Sequence, residues 1–279
     1  MTRVIISLML ILPISLTMGC ETKPPRSGDQ DSSADNSPTQ TAGSRDVKAP
    51  ERLAVSEDEQ AAIDTLRDRG AKVDVDDAGH VRLVELVDAE ATNEDLKLLS
   101  HFPRLESVDI SGGEITAAGL VHLKELQSLK RLYLNNLPIT GDALANLSDL
   151  QNLDTLSLRD TNIGNEAMVH IKQLPQLNVL NLADTEITNA ALKELQGLEN
   201  LGTLVLAGTA VTGEGLSHLN PIKSLRTLNL NGCKEIDGHL LKLGDLPELR
   251  MLYVYECSVS EQNVEELTDR NSQLAVFGD

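Results

Sequence analysis

Residues 177–200 read LNVLNLADTEITNAALKELQGLEN, with Leu177, Leu180, Leu182, Ile187, Leu192 and Leu195 at offsets 0, 3, 5, 10, 15 and 18. The 24 residues before them repeat the spacing with Leu153, Leu156, Leu158, Ile163, Met168 and Ile171. Leu105, Leu129, Leu153, Leu177, Leu201, Leu225 and Leu249 stand 24 residues apart without a slip, and Val81 extends the phase one unit backwards. A fixed period of about 20–50 residues is the signature of a solenoid, in which each unit buries its apolar edge only against its neighbours. Eight units in phase therefore predict a stack whose core is a regular lattice.

Inside a unit, Leu201-Gly-Thr-Leu204-Val-Leu206 alternates apolar with other residues, the period of a half-buried strand. The chain then turns through Ala207-Gly208-Thr209, buries Val211 and starts a short helix at Thr212. Thr92, Thr116, Thr140 and Thr188 fill the same slot, with Ser260 in the last unit. These are good N-caps, because a hydroxyl oxygen can accept from the first free helical amides. Small residues at offset 14 (Gly119, Ala143, Ala167, Ala191, Gly215) are expected to let neighbouring helices pack closely. The Leu225 unit departs locally: Ile236 comes one residue late, and the phase recovers at Leu240. The closing Leu274-Ala-Val-Phe277 predicts a final edge strand, with Phe277 plugging the bottom of the core.

Before the array, residues 56–80 predict a helix-hairpin cap over the open apolar end. Ser56 and Glu59 form a capping-box pattern, Ile63 and Leu66 share a face, and Gly70 is placed to end the helix in a left-handed cap. Lys72 to Asp76 alternates like a strand, and Asp77-Ala78-Gly79 turns it into the strand from Val81 to Val87. Asp74, Asp76, Asp77 and Gly79 look loosely like a calcium loop, but without its later ligands and terminal Glu they read as a plain turn.

Residues 1–20 carry one positive charge, an apolar run from Val4 to Met18, and Gly19-Cys20, which together describe a secretory signal. The run is shorter than the ~20 residues that span a bilayer core. Leu16-Thr17-Met18-Gly19-Cys20 resembles a bacterial lipoprotein lipobox, which would make Cys20 the lipidated first residue of the mature protein. An ordinary signal with an incidental Cys is the alternative. Residues 21–55 are rich in Pro, Ser, Asp, Thr, Gly and Gln, and are expected to form a disordered tether with a span of roughly 30–35 Å. The domain plan is thus 1–20 signal, 21–55 tether, 56–80 cap and 81–279 repeat array. It implies an exported protein of a bacterial envelope, lipid-anchored to a membrane.

Aromatic residues make up 2% of the chain, with no Trp, so the core must be aliphatic. The net charge of −19 lies almost wholly in residues 56–279, which hold 37 Asp and Glu against 18 Lys and Arg. Such a surface repels phosphate backbones and argues against nucleic-acid binding.

The units resemble the leucine-rich-repeat family, LxxLxLxxTxIT…GLxxL in form, across residues 81–272. The resemblance implies an α/β solenoid of the ribonuclease-inhibitor type: a horseshoe with parallel strands on the concave face and short helices on the convex face. It also implies an inward Asn, Thr or Cys ladder at offset 8, here Thr161, Thr185, Thr209, Cys233 and Cys257. Stacking would set the Cα atoms of Cys233 and Cys257 about 5 Å apart, within disulfide range. Their Cβ vectors would run parallel, which favours free buried thiols over a disulfide.

His122, His170 and His218 share offset 17 in alternate units, about 10 Å apart and too distant to share one metal. No Ser/His/Asp or Cys/His set and no phosphate loop is present, so neither catalysis nor a cofactor or metal is expected. The outward strand positions are more informative. They hold all three tyrosines, Tyr133, Tyr253 and Tyr255, among Arg131, Asn135, Arg159, Asn181 and Asn229. Tyr is a favoured interface anchor, and the separation of Tyr133 from Tyr253 suggests two patches. These residues point to a binding module for a protein or other large ligand. The alternative is an envelope spacer with no discrete ligand.

Overall fold

The computed structural model describes residues 55–87 and 91–279; the expected signal and the tether up to residue 54 lie outside the described residues. Ten strands follow one another across a single sheet in chain order. They are β1 (Lys72–Val75), β2 (Val81–Glu85), β3 (Ser107–Asp109), β4 (Arg131–Tyr133), β5 (Thr155–Ser157), β6 (Val179–Asn181), β7 (Thr203–Val205), β8 (Thr227–Asn229), β9 (Met251–Tyr253) and β10 (Ala275–Phe277). β1 pairs antiparallel with β2, and the later pairs are all parallel.

The register advances by one 24-residue unit per strand: Leu132 faces Leu156, Leu156 faces Leu180, and Leu180 faces Leu204. Each aliphatic rung is sealed by the rungs above and below. Leu153, Leu156, Leu158, Ile163, Met168 and Ile171 are all at most 1% exposed. At about 1.5–3 kcal/mol for each large aliphatic side chain removed from water, this lattice is the main stabilising element. The arrangement is an α/β leucine-rich-repeat solenoid.

Strands stay short because the backbone turns left-handed at offset 7. Gly112, Asn136, Asp160, Asp184, Gly208, Gly232 and Glu256 all have φ between 55° and 77°. That conformation lets the chain leave the sheet, and Gly, Asn and Asp tolerate it best. One residue later, Thr161, Thr185 and Thr209 are buried, and each hydroxyl donates to the carbonyl three residues back at 2.6 Å.

The return path uses short helices, several of them 3-10: Gly141–Leu147, Gly213–Leu219 and Asp237–Asp245 among them. A 3-10 helix rises about 2.0 Å per residue and closes a turn in three, which suits a connector of seven or so residues. Helices need more lateral room than the about 4.8 Å between strands. The stack therefore bends towards the sheet, whose free face becomes concave.

The expected threonine caps are mostly replaced by a bond between units. Thr188 does accept from the Ala190 amide and Ser260 from the Asn263 amide, but Thr116, Thr140 and Thr212 make no such bond. At Thr116 and Thr212 an asparagine in the preceding unit instead clamps the threonine from the side. Asn189 Oδ1 accepts the Thr212 N–H at 2.9 Å, and its Nδ2 donates to Thr212 Oγ1 at 2.8 Å. Asn93 holds Thr116 and Asn165 holds Thr188 in the same way. A side-chain amide matches both the donor and the acceptor of the threonine at once, which a helical N–H cannot. Asp237 takes this position before Ser260, accepting its N–H and O–H at 2.8 Å each, and these bonds hold the Asp237 carboxyl below the usual carboxylate range. The clamp also accounts for Gly119 and Gly215. A Cβ there would lie 2.5 Å from Asn93 Oδ1 and 2.3 Å from Asn189 Oδ1, so they serve the clamp more than close helix packing.

At the other end, the helix Glu57–Asp68 starts at Ser56, whose hydroxyl accepts the Glu59 amide, and Glu59 itself is buried. Gly70 has φ 87° and the Ala71 amide returns to the Leu66 carbonyl, a left-handed helix end. Arg69 pairs with buried Asp95 at 2.9 Å, and Asp95 also accepts from the Thr92 amide and hydroxyl, fastening this helix to the first connector. The Asp77–Gly79 segment is a turn: Asp76 Oδ1 accepts the Ala78 and His80 amides.

Phe277 departs from expectation. It does not plug the core but stands opposite Tyr253 on the outward side, 37% exposed. The parallel register gives the inward position to Val276, opposite Leu252, and Leu274 closes the core below it.

Candidate ligand-binding face

Outward side chains form rows across the strands. The middle row runs Glu85, Asp109, Tyr133, Ser157, Asn181, Val205, Asn229, Tyr253 and Phe277. Its first members are charged, its centre is neutral, and its end is aromatic. The neighbouring rows carry Arg131 and Arg159 on the β4 and β5 side and are uncharged from β6 to β8. Across β6 to β8 and the residues just past them, the outward positions are Val179, Asn181, Ala183, Thr203, Val205, Ala207, Thr227, Asn229 and Asn231. None of the nine is charged, in a chain whose residues are 24% charged.

The strip ends in an apolar cluster. The rings of Tyr253 and Phe277 stack with centroids 4.9 Å apart and planes 16° from parallel. Beside them Met251 and Tyr255 are 39% and 38% exposed. Sequence reasoning found Tyr253 and Tyr255 but missed Met251 and Phe277. Met251 could have been found from its outward offset, whereas Phe277 needed the register of the last strand.

The other candidates fall into different circumstances. Tyr133 is half-buried beside Asp109 and Ser157, and burial pushes its phenol above the usual value. It lies five strands from Tyr253, about 24 Å, and the structure does not bring the two together. Arg131 is exposed and its Nε reaches Ser107 Oγ at 3.4 Å. Arg159 pairs with Asp184 at 3.1 Å, both exposed, a contact contributing at most about 1 kcal/mol. Asn135 is consumed internally: its Nδ2 donates to Ser111, and its Oδ1 accepts from Ser157 Oγ and the Arg159 amide.

Asn181 and Asn229 behave differently. Asn181 Oδ1 accepts the Ala183 amide, Asn229 Oδ1 accepts the Asn231 amide, and Asn231 Oδ1 accepts the Tyr255 amide. A backbone N–H needs an acceptor, so these bonds fix which way each side chain faces. Each Nδ2 is left on the sheet face without a partner among the described residues.

Cys233 and Cys257 are free, buried thiols that donate to the Leu206 and Leu230 carbonyls at 3.2 and 3.0 Å. Burial pushes Cys233 up to about 11 and raises Cys257 as well, which disfavours the reactive thiolate at both. His122, His170 and His218 are half-buried on the helical side. Among the described residues no group of three His, Cys, Asp or Glu is arranged to hold a metal, and no helix is long and apolar enough to cross a membrane. Cys20 lies outside the described residues.

No protein-family model matches this chain, and no curated protein matches it. Solved structures similar to it include an internalin C2 (inlC2) of Listeria monocytogenes, at 20% identity and a TM-score of 0.47 over 80% of this chain and 93% of that one. An internalin (inlF) of the same organism is similar at 17% identity and a TM-score of 0.45, over 66% of this chain and 64% of that one. PEPR1-AtPEP1 is similar at 15% identity and a TM-score of 0.47, over 74% of this chain and 36% of that one. The repeat architecture rests on the strand register described above, not on these likenesses.

Proposed function

We propose that the chain is a non-enzymatic binding module that takes a protein on the concave sheet face, over β6 to β10. The observation that carries this reading is the uncharged strip ending in the Met251, Tyr253, Tyr255 and Phe277 cluster. Interface cores are depleted of charge and enriched in Tyr, Phe and Met. In this reading Tyr133, Arg131 and Arg159 form a separate polar margin, and Asn135 is structural. The array is held at a bacterial envelope by a lipid on Cys20, with residues 21–55 as its spacer. The apolar run before Gly19-Cys20 supports that part.

Cross-linking in intact cells followed by recovery of the protein tests the assignment. The wild type and a Val169→Ala control on the exposed helical side should recover the same partner. Tyr253→Ala combined with Tyr255→Ala should recover it at least tenfold less, a loss of about 1.4 kcal/mol, with an unchanged thermal melt. Equal recovery by the double variant removes the assignment, and a chain that captures no specific partner is a spacer.

A further inference from the structure

The concave-face reading leaves open what kind of surface the strip accepts. We infer that its occupant is an extended segment of a partner polypeptide, seated by an aromatic or large aliphatic side chain on the Tyr253–Phe277 stack and flanked by Lys or Arg. This rests on the binding face proposed above and makes it more specific.

The polar groups of the strip set the chemistry. Asn181, Asn229 and Asn231 have their oxygens committed to backbone amides, so they present Nδ2 donors outward. Thr203 and Thr227 stand between them on the same face. No cation stands among the nine central positions. A phosphate or carboxylate lying there would lose hydration without gaining a counter-charge, a costly exchange. Neutral carbonyl oxygens suit such donors, and an extended main chain supplies them at regular intervals.

Dimensions agree. From β6 to β10 is four strand spacings, about 19 Å, which about six extended residues cover. The small side chain of Ala207, half-buried on this face, leaves the backbone of a segment room to approach.

Charge then sets the flanks. The rim where the strands end carries Glu256 and Asp279, both exposed, with Asp279 tied to the Glu256 amide at 2.8 Å, while Asp184 on the same rim is already paired with Arg159. On the opposite rim are Arg226 and Arg250, the latter facing Glu248 at 3.5 Å. The chain as a whole carries −19. That net acidity, with Glu256 and Asp279 beside the aromatic end of the strip, attracts a basic segment and disfavours a second copy of the same acidic chain.

The test is selection of a phage-displayed library of random dodecapeptides on the immobilised full chain. Enriched peptides should carry an aromatic or large aliphatic residue close to Lys or Arg. Their synthetic forms should bind at least tenfold more weakly to Tyr253→Ala with Phe277→Ala. Val205→Asp, which places a charge mid-strip without touching the core, should weaken them as much, whereas Val169→Ala should not. An acidic consensus, or no enrichment, overturns the inference. If cross-linked partner recovery still depends on Tyr253 and Tyr255 in that case, only the segment form fails and the binding face stands. Enriched peptides that bind every variant equally overturn both.

Discussion

Leu180→Ala is expected to lower stability by about 2–5 kcal/mol and to loosen the coupling between the two halves of the array. Leu180 is fully buried in β6, between Leu156 of β5 and Leu204 of β7. Truncation removes its own transfer free energy and also leaves a void that both neighbours line. In a globular core the surrounding side chains could shift to fill part of that space. Here each rung is fixed by a strand register on both sides, so relaxation is restricted and the upper part of the range applies. Because stability in a solenoid is close to a sum of nearest-neighbour terms, the damage concentrates at one interface. Chemical denaturation followed by probes on either side of β6 should show a lowered midpoint and separated transitions. A melt indistinguishable from wild type would place Leu180 outside the core.

The second large effect is expected from a single methyl group. Gly213→Ala should cost about 1–3 kcal/mol, the usual penalty of overpacking. A Cβ on Gly213 would lie 2.3 Å from the Glu235 carbonyl oxygen and 2.7 Å from His239 Cβ. The nearest obstacle is backbone, so no side-chain rotation relieves it. Glu235 is held left-handed at φ 56° in the unit where Ile236 comes one residue late. That local bulge brings the chain over Gly213. Gly197→Ala is the matched control: nothing lies within 4 Å of its added Cβ, so it should be neutral or mildly stabilising. Thermal unfolding of the two variants beside wild type checks the pair, and equal melts would contradict the close approach.

Most of the architecture was legible because one short-range rule is applied eight times. The inward positions follow from offsets 0, 3, 5, 10, 15 and 18, and Leu177, Leu180, Leu182, Ile187, Leu192 and Leu195 are all fully buried. A helix start such as Thr212 was also readable, but its partner was not. Reading each unit alone suggests that the hydroxyl serves its own helix. The clamp by Asn189 is visible only when residues 23 apart are read together, and the pairs Asn93–Thr116 and Asn165–Thr188 carry that signal.

The binding face divides along the same line. Alternation sent Tyr253, Tyr255, Asn181 and Asn229 outward, but it carries no information on what each polar group bonds. Asn135 and Asn181 look alike in sequence, yet Asn135 spends its whole amide on Ser111, Ser157 and Arg159, and Asn181 spends only its oxygen. Phe277 was misplaced because the last strand has no following unit to fix its phase by pattern. Its side is decided by pairing with β9, a tertiary contact.

The alternation itself is open to direct measurement. One added cysteine at a time, at Val179, Leu180, Asn181 or Leu182, can be alkylated in the folded full chain carrying Cys20→Ser, with that chain lacking the added cysteine as background. Cys233 and Cys257 are buried and carry raised thiol pKa values, so they contribute little. Val179→Cys and Asn181→Cys should react at the rate of accessible thiols, and Leu180→Cys and Leu182→Cys only after unfolding. Leu180→Cys reacting as fast as Asn181→Cys would contradict the stacked register, and with it the uncharged face built on that register.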